Sequence, residues 1–223
     1  MKIYDLINLG SSQGSIRDFS SNPVPEKYLK KILRAARWAP SGANTQPWDF
    51  IIIKDMEVKE KIAKIFTDAQ KKAMGEDKEF PYGKNEELYN RFTVPPILIA
   101  VCADTRFKKA YPQSGYRERT LNVSIGLVIQ NIILAARALD LGVGWGTVGI
   151  FSHRKLRILL GVPSHIRIQD VLQLGFPAKR VLPKLRRDSR TFTHLNQLNV
   201  SKLRSDKEIK KLISGRKRPD IYS

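Results

Sequence analysis

Cysteine is almost absent from this sequence. Cys102 alone cannot form an intrachain disulfide, and with three scattered histidines it cannot complete a four-ligand structural zinc site. A reducing compartment and a fold without structural zinc are therefore expected. Acidic residues are also scarce: 21 Asp and Glu face 40 Lys and Arg, for a net charge of +19. Polyanions, phosphorylated ligands and acidic membrane surfaces are all admissible partners at that charge, which by itself selects none of them. The excess is uneven, because residues 179–223 hold 14 basic against 4 acidic residues. Residues 1–5 show no basic segment leading into an apolar h-region, so a cytoplasmic location is expected. Nor is there an uninterrupted membrane-length apolar run. Residues 121–139 come nearest, but Asn122, Ser124, Gln130, Asn131 and Arg137 break the stretch, which reads as a buried central helix. Internal repeats, low-complexity tracts and a Gly-x-Gly-x-x-Gly dinucleotide loop are all missing.

What remains is an ordinary balance for a folded chain, with 42% hydrophobic and 27% charged residues over 223 positions. That suits one domain or one subunit of an oligomer. After Asn22-Pro23-Val24-Pro25, apolar residues recur at helical spacing through Leu29, Ile32, Leu33 and Ala36 until Pro40. Phe50 to Ile53 and Ile97 to Val101 are short β-branched runs that read as buried strands. Val58, Ile62, Ile65, Phe66 and Ala69 mark another amphipathic helix. Residues 75–93 are polar, contain Gly75, Pro81 and Gly83, and read as a surface excursion and candidate lid. The central helix spans about 120–140, with Gly142 as its expected terminator. Two further strands are expected at 143–148 and 170–174, with a short helix at 154–160 between them. Helices mixed with four irregularly spaced strands point to an α+β layer fold. Leu203, Ile209, Leu212 and Ile213 give the tail an incomplete apolar face, for packing on the body or on a partner subunit; a solvated basic tail is the equal alternative.

Chemistry concentrates in Ala39-Pro40-Ser41-Gly42-Ala43-Asn44-Thr45-Gln46-Pro47-Trp48. Hydroxyl, amide and backbone donors between two prolines can read the rim of a planar heterocycle. The same residues serve equally to cap turns and fill a core.

With Ser15-Ile16-Arg17-Asp18-Phe19 upstream, this loop resembles the paired motifs of the nitroreductase-like flavoproteins. The resemblance continues in family order. It takes in the helix segment Gln130-Asn131-Ile132-Ile133-Leu134-Ala135-Ala136-Arg137-Ala138-Leu139 and then Gly142-Val143-Gly144-Trp145-Gly146. Leu159-Leu160-Gly161-Val162-Pro163, Leu174-Gly175-Phe176-Pro177 and Pro183-Lys184-Leu185-Arg186-Arg187 complete it. It implies a three-layer α+β fold with a mainly antiparallel central sheet flanked by helices, assembled as an intertwined homodimer with FMN at the subunit interface. Residues 1–200 would form the FMN-binding domain, with 75–93 as variable lid, and 201–223 a basic C-terminal extension. By position, Ser15, Arg17, Arg187 and one or both of Lys184 and Arg186 would hold the phosphate and ribityl end. Ser41, Gly42, Asn44 and Gln46 would approach the ring from the other subunit. Gly146 and Thr147 would stand near its reactive nitrogen. The flavin itself would carry the chemistry, with NADH or NADPH as transient hydride donor and a nitroaromatic, quinone or similar electron-poor small molecule as acceptor. Tyr111, Tyr116 and Trp145 are aromatic candidates for the pocket wall, with core packing the better reading of Trp145.

Two positions depart from the family pattern. Gln13 and Gly14 stand where a basic pair usually precedes the serine, which leaves phosphate neutralisation to Arg17 and the 184–187 cluster. Asp140 stands where glycine is common. Two specialised branches also share the wording of the loops, one a reductive dehalogenase of iodotyrosine and one a flavin-consuming dimethylbenzimidazole synthase. Glu76, Tyr82 and Lys84 supply the residue types of the dehalogenase lid without its spacing. A basic nucleic-acid-binding protein is the alternative from another class, resting on charge alone.

Overall fold

The computed structural model describes residues 2–12, 14, 16–76, 83–111, 114–179 and 186–215. Ser15, Gln13, Tyr82, Pro81 and Lys184 lie outside them. Four antiparallel strands, β1 (Trp48–Ile53), β2 (Ile97–Asp104), β3 (Gly142–Thr147) and β4 (Ile166–Gly175), form one sheet in the order β1-β2-β4-β3. All of β2 is buried, as its unbroken apolar run requires: a strand covered on both faces has no use for polar alternation.

Alternate residues of β2 feed two separate cores. Ile97, Ile99 and Val101 pack with α2 (Glu26–Ala36) and α5 (Ser114–Arg137), whereas Leu98, Ala100 and Cys102 pack with α3 (Met56–Glu76), α4 (Asn85–Thr93) and α6 (Ile150–Leu159). The result is three layers, helices on both faces of a mainly antiparallel sheet. On α5, Leu121, Ile125, Val128, Ile129, Ile132 and Ala136 are all buried. This helix is long and apolar enough to cross a membrane by length and composition, yet here it is the spine of the first core.

Three expectations change. Gly142 does not terminate α5 but opens β3; Asp140 takes the left-handed conformation (φ 59°) that ends the helix, and the Leu141 N–H donates back to the Ala136 carbonyl at 3.0 Å. That explains why a glycine would suit position 140: the backbone there is left-handed, and aspartate tolerates it better than most residues. Residues 85–93, read as excursion, form α4, whose Phe92 is 1% exposed and stacks on Phe66 at 4.2 Å between centroids. Polar residues on the outer side of α4 masked its single buried anchor. The strands are also longer than the apolar runs, since β2 continues to Asp104 and β4 begins at Ile166.

Toward the termini, α1 (Ile3–Ser11) has no buried residue, and Ile3, Tyr4, Leu6 and Ile7 are exposed. The helix α7 (Asp206–Gly215) likewise leaves Ile209, Leu212 and Ile213 exposed, as are Leu195, Leu198 and Val200 before it.

Because Ile132 is fully buried in the first core, Ile132→Ala removes contacts the surrounding helices cannot close over. Unfolding free energy should fall by about 3 kcal/mol, read by urea denaturation at fixed protein concentration.

Candidate functional site

The loop after α2 is strained and tightly tied. Ala43, Asn44 and Gln46 adopt φ of 49°, 50° and 45°, a left-handed cluster of non-glycine residues that costs roughly 1–2 kcal/mol per residue. Ser41 Oγ accepts the Gln46 N–H at 2.9 Å, and the Gly42 N–H donates to Ser124 Oγ on α5 at 3.2 Å. The Thr45 and buried Tyr111 hydroxyls share a 2.9 Å hydrogen bond. At Gly42 a Cβ would stand 2.2 Å from Thr120 Cγ2, so only glycine lets the loop lie this close to α5. The Asn44 and Gln46 side chains face solvent, joined by a 3.3 Å bond from Gln46 Nε2 to Asn44 Oδ1. Tyr111 is thus a strut of the loop, and Tyr116 is exposed.

Gly146 and Thr147 sit elsewhere, at the wall of a cavity of about 390 Å³ between α3, α4, α6 and β3. Phe66, Phe92, Phe151 and Trp145 are the aromatic members of its wall. Trp145 was better read as core, but it is 45% exposed and lines the cavity. The outer end of β3 is an edge strand, and its alternate residues Gly142, Gly144 and Gly146 put no side chains on one face. Into that space press Ile16 at Gly142, the Gln173 side chain and Ile16 carbonyl at Gly144, and Phe92 with Gln173 at Gly146; a Cβ would meet each at 2.2–2.9 Å. The ribbon 16–20 is tied along this edge through Ile16 N–H to Val143 O and Ala178 N–H to Asp18 O.

This ribbon carries Arg17, whose charge acts on Arg91 of α4. Arg91 lines the cavity, and burial first, then repulsion from Arg17, lowers its pKa against the opposing effects of Glu87 and Asp18. Arg186 and Arg187 are exposed. Arg187 Nη2 donates to Thr191 O at 2.9 Å, and its guanidinium lies over Phe192.

The loop 41–46 rests on α5 in one helical layer, while the cavity opens in the layer of α3, α4 and α6 on the opposite side of the sheet. A single chain therefore brings Arg17, Arg91, Gly146 and Thr147 together, but not Ser41, Gly42, Asn44 or Gln46 with them. A flavin fits the first group: a glycine-faced strand end admits close backbone approach, aromatic walls suit a planar ring, and the volume falls within the roughly 300–1,000 Å³ of small-molecule sites. Arg91, Gln173 and Phe92 had gone unnoticed in the sequence. Gln173 did leave a trace, as a polar residue inside the apolar run of β4.

Asp170 is a further buried group, 5% exposed. Burial pushes its pKa up to about 6, although the 2.7 Å bond from Trp145 Nε1 and the charge of Arg167 pull it down. Below its ordinary value of 3.8 the carboxyl is neutral in both folded and unfolded chains. Between there and about 6 the folded protein keeps a proton that the unfolded chain releases, so stability falls as pH rises and stays lowered above 6. Asp170→Asn keeps an acceptor for the indole and removes the charge. It should raise stability at pH 8 by about 2 kcal/mol and flatten that decline, as urea denaturation across the pH range would show.

Comparison with known proteins agrees with the fold. The profile of the nitroreductase family matches residues 12–176. An Archaeoglobus fulgidus protein named for NADH dehydrogenase and NAD(P)H nitroreductase activity is 33% identical over 167 residues, 73% of this chain and 80% of that protein. Iodotyrosine deiodinase 1 of Rattus norvegicus is 30% identical over 197 residues, covering 84% and 67% of the two chains. Among solved structures, the FMN-dependent nitroreductase of Clostridium difficile R20291 gives a TM-score of 0.66 at 22% identity, over 86% of this chain and 99% of that one. The hypothetical oxidoreductase YcnD of Bacillus subtilis gives 0.71 at 22% identity, over 97% and 85%. At such identities the structural likeness speaks for the fold.

Proposed function

Because the chain belongs to the nitroreductase family, we propose that this oxidoreductase binds FMN, takes hydride from NADH or NADPH and reduces an electron-poor acceptor such as a nitroaromatic compound or quinone. The observation that carries this reading is the glycine-faced end of β3 at Gly146 and Thr147, opening into an aromatic cavity with a guanidinium in its wall. Bound there, FMN supplies two-electron redox chemistry, accepting a hydride and returning the electrons to the acceptor. The protein's part is binding, orientation and exclusion of water. The Gly146 backbone and Thr147 hydroxyl would direct donors at the ring's edge, and Phe66 and Phe151 would give the cavity its apolar walls. Arg17, with Ser15, Lys184, Arg186 and Arg187, would hold the phosphate and ribityl end.

The remaining ring contacts, Ser41, Gly42, Asn44 and Gln46, belong to a second copy in this reading. Their position across the sheet from the cavity supports a dimer. So do the exposed apolar side chains of α1, α7 and the segment before it, which a second subunit would cover. A basic C-terminal extension at 201–223 would take part in that embrace.

A second reading, a reductive dehalogenase, is favoured by the iodotyrosine deiodinase relatives. Glu76 ends α3 and Lys84 immediately precedes α4, so both stand at the ends of the helices that wall the cavity. A nucleic-acid binder has no comparable support beyond charge.

The purified protein should be yellow, with a flavin absorption band, and should scatter light as a dimer with FMN equimolar to subunits. Stopped-flow mixing with NADH or NADPH should bleach the band, and an acceptor screen including halotyrosines separates the two readings. A folded monomer that binds FMN stoichiometrically would overturn the shared site.

A further inference from the structure

Gln173 is a buried amide in an otherwise apolar setting. It stands on β4 opposite Leu98 of β2 and Gly144 of β3, on the face of the sheet that carries the second core, and it is 2% exposed. Leu98, Ala100 and Val171 share that face with it. Two of the bare glycines make the room. Oε1 lies 2.2 Å from where a Gly144 Cβ would stand, and Nε2 lies 2.9 Å from where a Gly146 Cβ would stand. The amide therefore spans the glycine face. Its orientation is fixed too, because Nε2 donates to the Val171 carbonyl at 2.9 Å and a carbonyl accepts only from the nitrogen end.

That bond satisfies one N–H. Among the described residues nothing meets the second N–H or Oε1. A half-satisfied buried amide is less favourable than a leucine of similar volume, so packing alone gives no reason for glutamine here. The side-chain atoms sealed without a partner among the described residues belong to His153, Arg167 and Gln169. Gln173 differs from them in lining the cavity, beside Gly146 and Thr147. An amide open on that side offers a donor and an acceptor on one planar group. Its complement is a ligand edge on which a carbonyl adjoins an N–H.

We propose that Gln173 is a specificity-determining residue of this cavity, its amide reading an edge of the occupant where a carbonyl adjoins an N–H. The inference rests on the flavoprotein reading above. Within that reading two molecules carry such an edge, the flavin through the imide of its ring and the hydride donor through the carboxamide of its nicotinamide.

The test strips the full-length protein of flavin and titrates it with FMN, riboflavin and 3-methylriboflavin, which lacks the imide proton. Gln173→Leu should weaken FMN and riboflavin by the same factor, about five- to tenfold, as the loss of one neutral hydrogen bond implies. Wild-type protein should prefer riboflavin to 3-methylriboflavin by a similar factor, and the variant should bind the two alike. The flavin-free variant should melt no lower than wild type, because leucine leaves no half-satisfied amide. Gln173→Met, unbranched like glutamine, repeats the comparison should leucine crowd the glycines. If flavin affinities hold while the KM for NADH, measured with FMN restored, rises by a similar factor, the edge read is the carboxamide. Unchanged flavin affinities with an unchanged KM, or lower melting temperatures in both variants without a change in ligand preference, overturn the assignment and leave the flavoprotein reading standing. A wild-type protein that binds neither FMN nor riboflavin overturns both.

Discussion

The contact on which the site depends is the bare face of β3. An edge strand with side chains on both faces would hold its neighbours at a normal packing distance. Here Gly142, Gly144 and Gly146 remove one face altogether, and three separate elements close directly onto the backbone. Ile16 seats the ribbon that carries Arg17, Gln173 lies flat across the middle, and Phe92 brings α4 in at the end. Any Cβ on that face would push the arginine-bearing ribbon or the arginine-bearing helix outward. The positions of Arg17 and Arg91 thus follow from the absence of side chains on a strand that contributes none of the charge.

The second constraint is the sheet itself. Because β2 is buried on both faces, the helices divide into two layers that cannot communicate except around an edge. The strained loop 41–46 is built on the α5 layer, where Gly42 is held by Ser124 and Thr120 and Thr45 by Tyr111, among the left-handed residues Ala43, Asn44 and Gln46. Strain of that kind persists only where surroundings over-determine it. Yet in a single chain its amides face solvent, which gives the strain no local purpose. The proposed dimer supplies one, since a loop on one layer of one subunit can complete a cavity on the opposite layer of another.

Much of this was legible in the residues, for physical reasons that can be named. The cores of β1 and β2 were visible because a strand covered on both faces must be uniformly apolar, and α5 was visible because its buried positions repeat at helical spacing over about four turns. The loop and the Arg17 segment were visible because unusual residue types crowd together there. Arg91 was not, because one arginine among 40 basic residues carries no local signal, and its significance comes only from Phe92 turning α4 and from β3 admitting it. Trp145 misled for a similar reason. A tryptophan in a glycine-rich strand suggests core filling, but β3 is an edge strand, and the half-exposed indole donates to Asp170 of the neighbouring β4 instead. Asp140 shows the reverse case, where a residue that departs from the family habit is explained once the backbone is known to be left-handed.

Electrostatics ties these parts together. The chain is basic throughout, but at an exposed lysine the charge is screened by water and salt and contributes little to any one site. Arg91 differs because it is half-buried beside apolar rings, where the effective dielectric is lower and a charge acts more strongly. The wall it belongs to contains no other charged side chain among the described residues, so its field is not cancelled from within. A cavity of this kind favours whichever protonation or redox form of its occupant is more negative. Asp170 stands outside that wall: its carboxylate accepts from the Trp145 indole, and the charge it feels is that of Arg167 rather than of Arg91.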